Sequence, residues 1–177
     1  MRRRLRDVRD AIVTPPDAAA WRRCALLYAA FLVCALPIGL MSGLLHPSLP
    51  PLSTGAALVV ALTIALHPAF TEEIVFRALM LPRRGEGVSR TRLVATIALA
   101  LFLYVAAHPL NAKFFWPAVW GVFSNPFYLA MATLLGLTCT AAYLITGSIW
   151  PSVVMHWLTV TLWLLLLGGQ TLLQSGG

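Results

Sequence analysis

The chain alternates long apolar runs with short polar segments, and five of the runs are candidates to cross a membrane. A helix needs about 20 predominantly apolar residues to span a bilayer, and in lipid its backbone groups must find their partners within the protein. The pattern therefore predicts an all-α, polytopic membrane helical bundle of about five spans. The predicted spans cover residues 24–45, 54–81, 93–107, 127–145 and 149–167.

Prolines and glycines indicate where these helices bend or stop. Pro37 lies inside the first run and predicts a kink, because proline lacks the N–H that an interior helical bond needs. The second run is longer than one crossing requires, so it either tilts or breaks near Pro68. The third run is expected to stop at Pro109, and the pair Gly168 and Gly169 is expected to end the fifth.

Composition separates this chain from soluble proteins. It has 177 residues, of which 59% are hydrophobic and only 11% are charged, and its mean hydropathy is +0.82. About a quarter of the residues of a soluble domain are charged. From Leu93 onward the only formally charged side chain is Lys113. These values exclude a soluble globular protein and favour a single transmembrane helical domain over residues 24–170.

The net charge of +7 is concentrated in two clusters of arginine. The positive-inside rule places both clusters in the cytoplasm. We therefore expect an integral protein of a bacterial inner (plasma) membrane, with a basic cytoplasmic segment at residues 1–23 and a short tail at 171–177. Because topology and membrane lipid account for the charge, no nucleic-acid partner is expected. The clusters are Arg2, Arg3, Arg4, Arg6, Arg9, Arg22 and Arg23, and then Arg83, Arg84, Arg90 and Arg92.

Aromatic side chains crowd the segment between the third and fourth spans, residues 109–126, which this topology places on the outer side. One interpretation is an interfacial aromatic belt, because aromatic side chains, tryptophan in particular, concentrate at the membrane–water boundary. The other is a membrane-dipping cover over a site. The residues concerned are Phe114, Phe115, Trp116, Trp120, Phe123 and Phe127.

Two adjacent glutamates are the strongest functional signal. The chain has six acidic residues, and only Glu72 and Glu73 lie within apolar sequence, with Arg77 four residues beyond the second. One charged side chain near the middle of a bilayer costs about 3 kcal/mol on insertion scales. Three charges placed together in such a segment therefore indicate a functional site, or, as the alternative, a structural ion cluster between helices.

Helical spacing separates the expected roles of the two glutamates. Glu73 and Arg77 are four residues apart, so they share a helix face and are expected to pair. Glu72 points about 100° away from Glu73 and has the apolar Phe76 at the next turn. This position leaves Glu72 free to face a cavity and to exchange a proton.

Four histidines lie in or near apolar sequence. His108 ends the third span, and His156 lies within the fifth; His67 precedes Glu72, and His46 is expected in a loop. At a rise of 1.5 Å per residue, Glu73 and His156 lie about 15 and 14 Å from the inner surface. The same measure places His108 about 9 Å deeper, which makes His156 the firmer candidate on depth alone.

A carboxylate with a histidine in a water-filled pocket suits general-base activation of water, and a second histidine suits stabilisation of an oxyanion. The chain has no Gly-x-Ser-x-Gly elbow and no His-Glu-x-x-His motif, and Cys24, Cys34 and Cys139 show no metal spacing. Glutamate and histidine bind zinc in other proteins, but the cation of Arg77 would oppose one here. We therefore predict neither metal nor cofactor.

The segment Glu72-Glu73-Ile74-Val75-Phe76-Arg77 resembles the Glu-Glu-x-x-x-Arg motif of the CPBP intramembrane proteases. These are relatives of the type II CAAX prenyl endopeptidase, also called the Abi family. His108 and His156 follow where the second and third motifs of that family belong. The resemblance covers roughly residues 54–167.

This resemblance implies a glutamic, metal-independent endopeptidase. Glu72 would activate water with the assistance of His108, and His156 would help to stabilise the oxyanion. Glu73 and Arg77 would shape the pocket and orient its charges. The implied partners are membrane lipid and a membrane-associated peptide or protein substrate, prenylated in the eukaryotic members.

Two positions depart from the family motifs. Tyr104 stands where the second motif usually has phenylalanine, and Val160 stands where the third usually has asparagine or aspartate, with Thr159 and Thr161 beside it. The loss of an amide donor weakens an oxyanion hole. Either a threonine hydroxyl substitutes for it, or activity is low, or the protein is a non-catalytic relative.

Two other functions compete with the protease. A non-catalytic membrane partner, such as an immunity or scaffold protein, would explain Val160 and the aromatic outer segment. A proton-coupled carrier would use Glu72 and His156 as a relay. Five spans without internal repeat symmetry make a carrier the weaker of the two.

Overall fold

The computed structural model describes residues 2–83 and 85–176, with side chains from residue 4 onward. Every regular element in these ranges is helical, which confirms the predicted all-α bundle. A single 3₁₀ turn covers Pro117–Val119. The helices are α1 Arg2–Val13, α2 Ala18–Met41, α3 Thr54–Leu79, α4 Arg90–Phe114, α5 Trp120–Phe123, α6 Pro126–Thr146, α7 Trp150–Leu166 and α8 Gly169–Ser175.

Helices α2, α3, α4 and α6 are long and apolar enough to cross a membrane. Helix α7, the predicted fifth span, is an apolar helix of 17 residues, which is at the lower limit of about 17 to 25 for a crossing. The four long helices support an integral membrane protein. Each begins at a residue whose side chain accepts a hydrogen bond from a backbone N–H of the first turn. These N-cap residues are Asp17, Ser53, Ser89 and Asn125.

Helix α3 breaks at the residue before Pro68, as one of the two predictions for this run stated. His67 has φ −143° and ψ 121°, which is extended backbone. A residue that precedes proline is pushed out of the helical region by contact with the proline ring. After the break the helix resumes, and Ile74–Leu79 has the wider π-helical turn. Glu72 and Glu73 thus lie on the resumed segment, between the break and this turn.

The prediction that the third span stops at Pro109 is wrong, because α4 continues through it to Phe114. Proline removes one backbone donor from a helix interior but does not always end the helix in a packed bundle. The imidazole of His108 bonds within the preceding turn, because its Nδ1 lies 3.0 Å from the carbonyl oxygen of Tyr104 and donates to it. The segment that leads to α5 therefore begins at Phe115 and not at residue 109.

Helix α1 closes one end of the bundle. The side chain of Arg83 pairs with Asp10 at 2.6 Å, and the backbone N–H of Ile149 donates to the carbonyl of Ala11 at 3.2 Å. Ala11 is fully buried in a core cluster that includes Ile149. The N-terminal segment, the arginine loop and the turn before α7 therefore share one end. The charge pattern assigned the first two of these segments, which carry the arginine clusters, to one side of the membrane.

The opposite end joins the loop after α2 to the end of α7. The indole of Trp163 donates to the carbonyl of Leu44 at 3.0 Å, and the backbone N–H of His46 donates to the carbonyl of Leu167 at 3.3 Å. Most rings of the aromatic outer segment are exposed, as in a belt, but Phe123 contacts His108 with 5.7 Å between ring centroids. The exposed rings are Phe114, Phe115, Trp116, Trp120 and Phe127.

Two tryptophans provide a matched test of these ends. The Trp163 hydrogen bond to Leu44 is buried, whereas the indole of Trp150 donates at 2.8 Å to the carbonyl of Ile12 at an exposed position. Trp163→Phe leaves a buried carbonyl unpaired, so we expect it to lower the free energy of unfolding by about 1–3 kcal/mol. Trp150→Phe should lower the free energy of unfolding by less, because water can bond to the exposed Ile12 carbonyl in place of the indole. Thermal unfolding in detergent measures both, and a larger loss for Trp150→Phe would contradict this packing.

Candidate active site

Glu73 is the centre of a buried ionic cluster. Its Oε2 lies 3.1 Å from Nε of Arg77, which confirms the predicted pairing along one helix face. Its Oε1 lies 3.0 Å from Nδ1 of His156 on α7. The exposed fractions of Glu73, Arg77 and His156 are 0%, 1% and 2%. Because a carboxylate accepts, Nδ1 of His156 carries the proton, and its Nε2 is directed away from Glu73.

Arg77 connects this cluster to two further helices. Its Nη2 donates to the carbonyl of Gly136 on α6 at 3.0 Å, and its guanidinium carbon lies 4.7 Å from the centre of the Tyr104 ring on α4. A Cβ atom at Gly136 would lie 2.7 Å from a methyl group of Leu101 and 3.0 Å from the Tyr104 ring. Glycine therefore lets α6 approach closely enough for its carbonyl to accept from Arg77.

Glu72 has a different environment from its neighbour. Its side chain is 23% exposed, and its Oε2 lies 3.9 Å from Nε2 of His156. It makes no hydrogen bond to any residue that the structure describes. The structure thus brings Glu72, Glu73, Arg77 and His156 together, with Glu72 as the member that water can reach.

His108 lies next to Tyr104 on α4. The ring centroids of His108 and Tyr104 are 5.2 Å apart, and those of Tyr104 and His156 are 6.1 Å apart. Since Nδ1 of His108 donates to the Tyr104 carbonyl, its Nε2 is left unprotonated when the ring is neutral. His67 instead contacts Thr71 at 2.9 Å. His46 belongs to the loop at the opposite end, so neither of these two joins the site.

A cavity of about 120 Å³ lies among α2, α4, α6 and α7. Its lining includes His108, His156, Tyr104 and Val160, and most of its remaining wall is apolar. The expected pocket was water-filled and contained the glutamates. In the structure neither glutamate lines this cavity, and Glu72 approaches it through the imidazole of His156.

Sequence reasoning gave no site residue to α2, yet Tyr28 lines the cavity. Its hydroxyl lies 3.2 Å from Oγ1 of Thr159, and Thr159 itself donates to the carbonyl of Met155 at 2.8 Å. Tyr28 must therefore be the donor to Thr159. No sequence spacing connects residues 131 positions apart, because their contact depends on how α2 packs against α7.

Metal binding receives no support from the residues that the structure describes, since no group of three or more His, Cys, Asp or Glu side chains among them is arranged to hold an ion. The cysteines do not approach the histidines as a ligand set: Cys24 and Cys139 are buried in the core, Cys34 is exposed, and all three are free. The Arg77 cation beside Glu73 would also oppose a dication at this point.

The two adjacent glutamates provide a matched test of the cluster. Glu73→Gln leaves the buried Arg77 without its carboxylate, so we expect it to lower the free energy of unfolding by about 3–5 kcal/mol. Glu72→Gln removes an equal charge from a more exposed position and should change stability little. Thermal unfolding of both purified variants checks this expectation, and equal losses would show that Glu73 does not stabilise the bundle.

Comparison with known proteins identifies the family of this chain. Residues 54–162 match the model of a family described as Type II CAAX prenyl endopeptidase Rce1-like. The matched segment is more than half of the chain and contains Glu72, Glu73, Arg77, His108 and His156. No curated protein and no solved structure matches the chain. The match confirms the family indicated by the motifs: the chain belongs to the type II CAAX prenyl endopeptidase Rce1-like family.

Proposed function

We propose that this protein is an intramembrane, metal-independent endopeptidase that hydrolyses a peptide bond of a membrane-associated substrate, with Glu72 as the general base. One observation carries the proposal: two neighbouring carboxylates have opposite environments. Glu73 is fully buried and paired with Arg77 and His156. Glu72 is 23% exposed and has no hydrogen bond among the described residues. Only the second carboxylate is available to water.

The reaction needs one proton acceptor and one site for developing negative charge. Glu72 takes a proton from water, and the water oxygen bonds to the carbonyl carbon of the substrate. The π electrons of the carbonyl move to its oxygen, which becomes the oxyanion. When the C–N bond breaks, the oxyanion re-forms a carbonyl, and the leaving nitrogen takes the proton from Glu72.

Both histidines line the cavity. Glu73 accepts from Nδ1 of His156, so Nε2 is the atom of this ring that is left for the substrate oxygen. In this proposal the ring is protonated when the oxyanion forms, because Nε2 must carry a hydrogen to donate to it. The Tyr104 carbonyl holds Nδ1 of His108, so its Nε2 is free to orient the attacking water beside Glu72. Glu73 and Arg77 are positioning residues in this proposal, because they act through His156 and the helix packing.

The apolar cavity supports a substrate that reaches the site from the lipid. Leu36 on α2 and Leu162 on α7 line it and are each 38% exposed, so its wall continues to the lipid-facing surface between these helices. A substrate held in the membrane by an apolar chain could enter without leaving the bilayer. We propose a membrane-tethered CAAX-type peptide as the substrate class, and an inner-membrane location with the N-terminus cytoplasmic.

The decisive variant is Glu72→Gln. It keeps the size of the side chain but removes the base, so we expect the kcat for cleavage of a quenched, farnesylated CAAX peptide to fall about 10²- to 10⁴-fold. The exposed Asp17, which caps α2 away from the cavity, provides the control. Asp17→Asn removes the same charge and should leave kcat unchanged. Undiminished cleavage by Glu72→Gln would remove this residue from the mechanism.

Metal independence is a separate prediction. Dialysis of the purified protein against 1,10-phenanthroline or EDTA should leave the cleavage rate of the same peptide unchanged, because the proposed water activation uses only side chains. Metal content of the active protein should be well below one ion per chain. Loss of activity that added zinc restores would contradict the proposed mechanism.

A further inference from the structure

One tyrosine in the cavity wall has a hydroxyl without a hydrogen-bond partner among the described residues. Tyr104 lines the cavity, and the residue as a whole is 2% exposed. Its ring makes several contacts, but none of its hydrogen bonds to described residues involves the hydroxyl. The hydroxyl oxygen is not among the fully buried side-chain atoms that lack a partner, so it retains accessible surface. An unpaired, accessible donor in a cavity wall is available to a bound ligand.

The surroundings of this ring suit a hydrogen-bond donor at the reacting carbonyl. Tyr104 lies between the two imidazoles, with its centroid 5.2 Å from that of His108 and 6.1 Å from that of His156. The guanidinium carbon of Arg77 lies 4.7 Å from its centre. A cation over an aromatic face attracts ring electrons, which strengthens the phenol as a donor.

Two other hydroxyls in the cavity wall are already committed. Thr159 donates to the carbonyl of Met155, and Tyr28 donates to Thr159. Val160, one turn after His156, has no polar atom in its side chain. The expectation that a threonine hydroxyl replaces the missing amide therefore receives no support from Thr159.

Tyr128 is the remaining candidate in the cavity wall. Its ring contacts His108 at 5.4 Å and stacks on Phe123 at 5.1 Å, and its next neighbour is Trp163 at 5.6 Å. It has no ring contact with His156. Tyr128 thus belongs to the aromatic end of the cavity, whereas Tyr104 borders both histidines.

We propose that the hydroxyl of Tyr104 donates a hydrogen bond to the oxyanion of the tetrahedral intermediate, and so supplies the donor that Val160 lacks. The proton stays on the phenol oxygen throughout, and no bond to Tyr104 forms or breaks. This inference rests on the proposed function. It makes Tyr104 a catalytic residue, because its hydroxyl contacts the reacting oxygen.

Tyr104→Phe isolates the hydroxyl, because it keeps the ring against Arg77 and both imidazoles. Removal of one oxyanion donor lowers kcat about 10²- to 10³-fold, so we expect a fall in this range for the farnesylated CAAX peptide, with KM and the melting temperature nearly unchanged. Tyr143→Phe is the matched control. It removes a tyrosine hydroxyl that also lacks a hydrogen bond, at a buried position outside the cavity, and should leave kcat unchanged.

Four outcomes would overturn the assignment of Tyr104. Three concern Tyr104→Phe itself: a kcat within threefold of the parent, a rise in KM at constant kcat, or a melting temperature well below that of Tyr143→Phe. The fourth is a lowered kcat for Tyr128→Phe together with an unchanged kcat for Tyr104→Phe. The proposed function fails differently: the parent protein does not cleave the peptide, or Glu72→Gln still does. An active parent with an inactive Glu72→Gln and an unaffected Tyr104→Phe would refute only the inference about Tyr104.

Discussion

The carboxylate of Glu73 holds the functional part of this bundle together. It is shared between Arg77 on its own helix and His156 on α7, at 3.1 and 3.0 Å, and Arg77 extends the connection to α6 and α4. A buried charge is tolerated only when its partners compensate for lost hydration. The four helices must therefore pack in one arrangement to keep these groups paired, and that arrangement fixes the walls of the cavity.

The same constraint gives two identical neighbours separate roles. Consecutive residues on a helix point about 100° apart, so the interaction that buries Glu73 leaves Glu72 at the margin, 23% exposed and 3.9 Å from His156. The break at His67 and the π-helical turn after Glu73 frame this short segment. Stability and proposed chemistry are thus divided between adjacent carboxylates rather than assigned to one.

Much of this arrangement follows from local rules that the sequence carries. Apolar run length predicted the crossing helices, four-residue spacing predicted the pairing of Glu73 with Arg77, and Pro68 marked a possible break. The rule failed at Pro109, where α4 continues to Phe114, because a helix in a packed bundle tolerates the loss of one backbone hydrogen bond. The depth estimate for His108 rests on rise per residue alone, which takes no account of helix tilt.

The sequence by itself determined the fold class, the family motifs and the set of titratable side chains, because these depend on composition and on contacts within one helix. Only the tertiary structure decided that His156 meets Glu73, that Tyr28 reaches Thr159, and that the cavity is mostly apolar and bordered by Tyr104. These contacts join residues 83 and 131 positions apart. Such pairs depend on the way helix faces pack against one another. A periodic pattern along one helix does not contain that information.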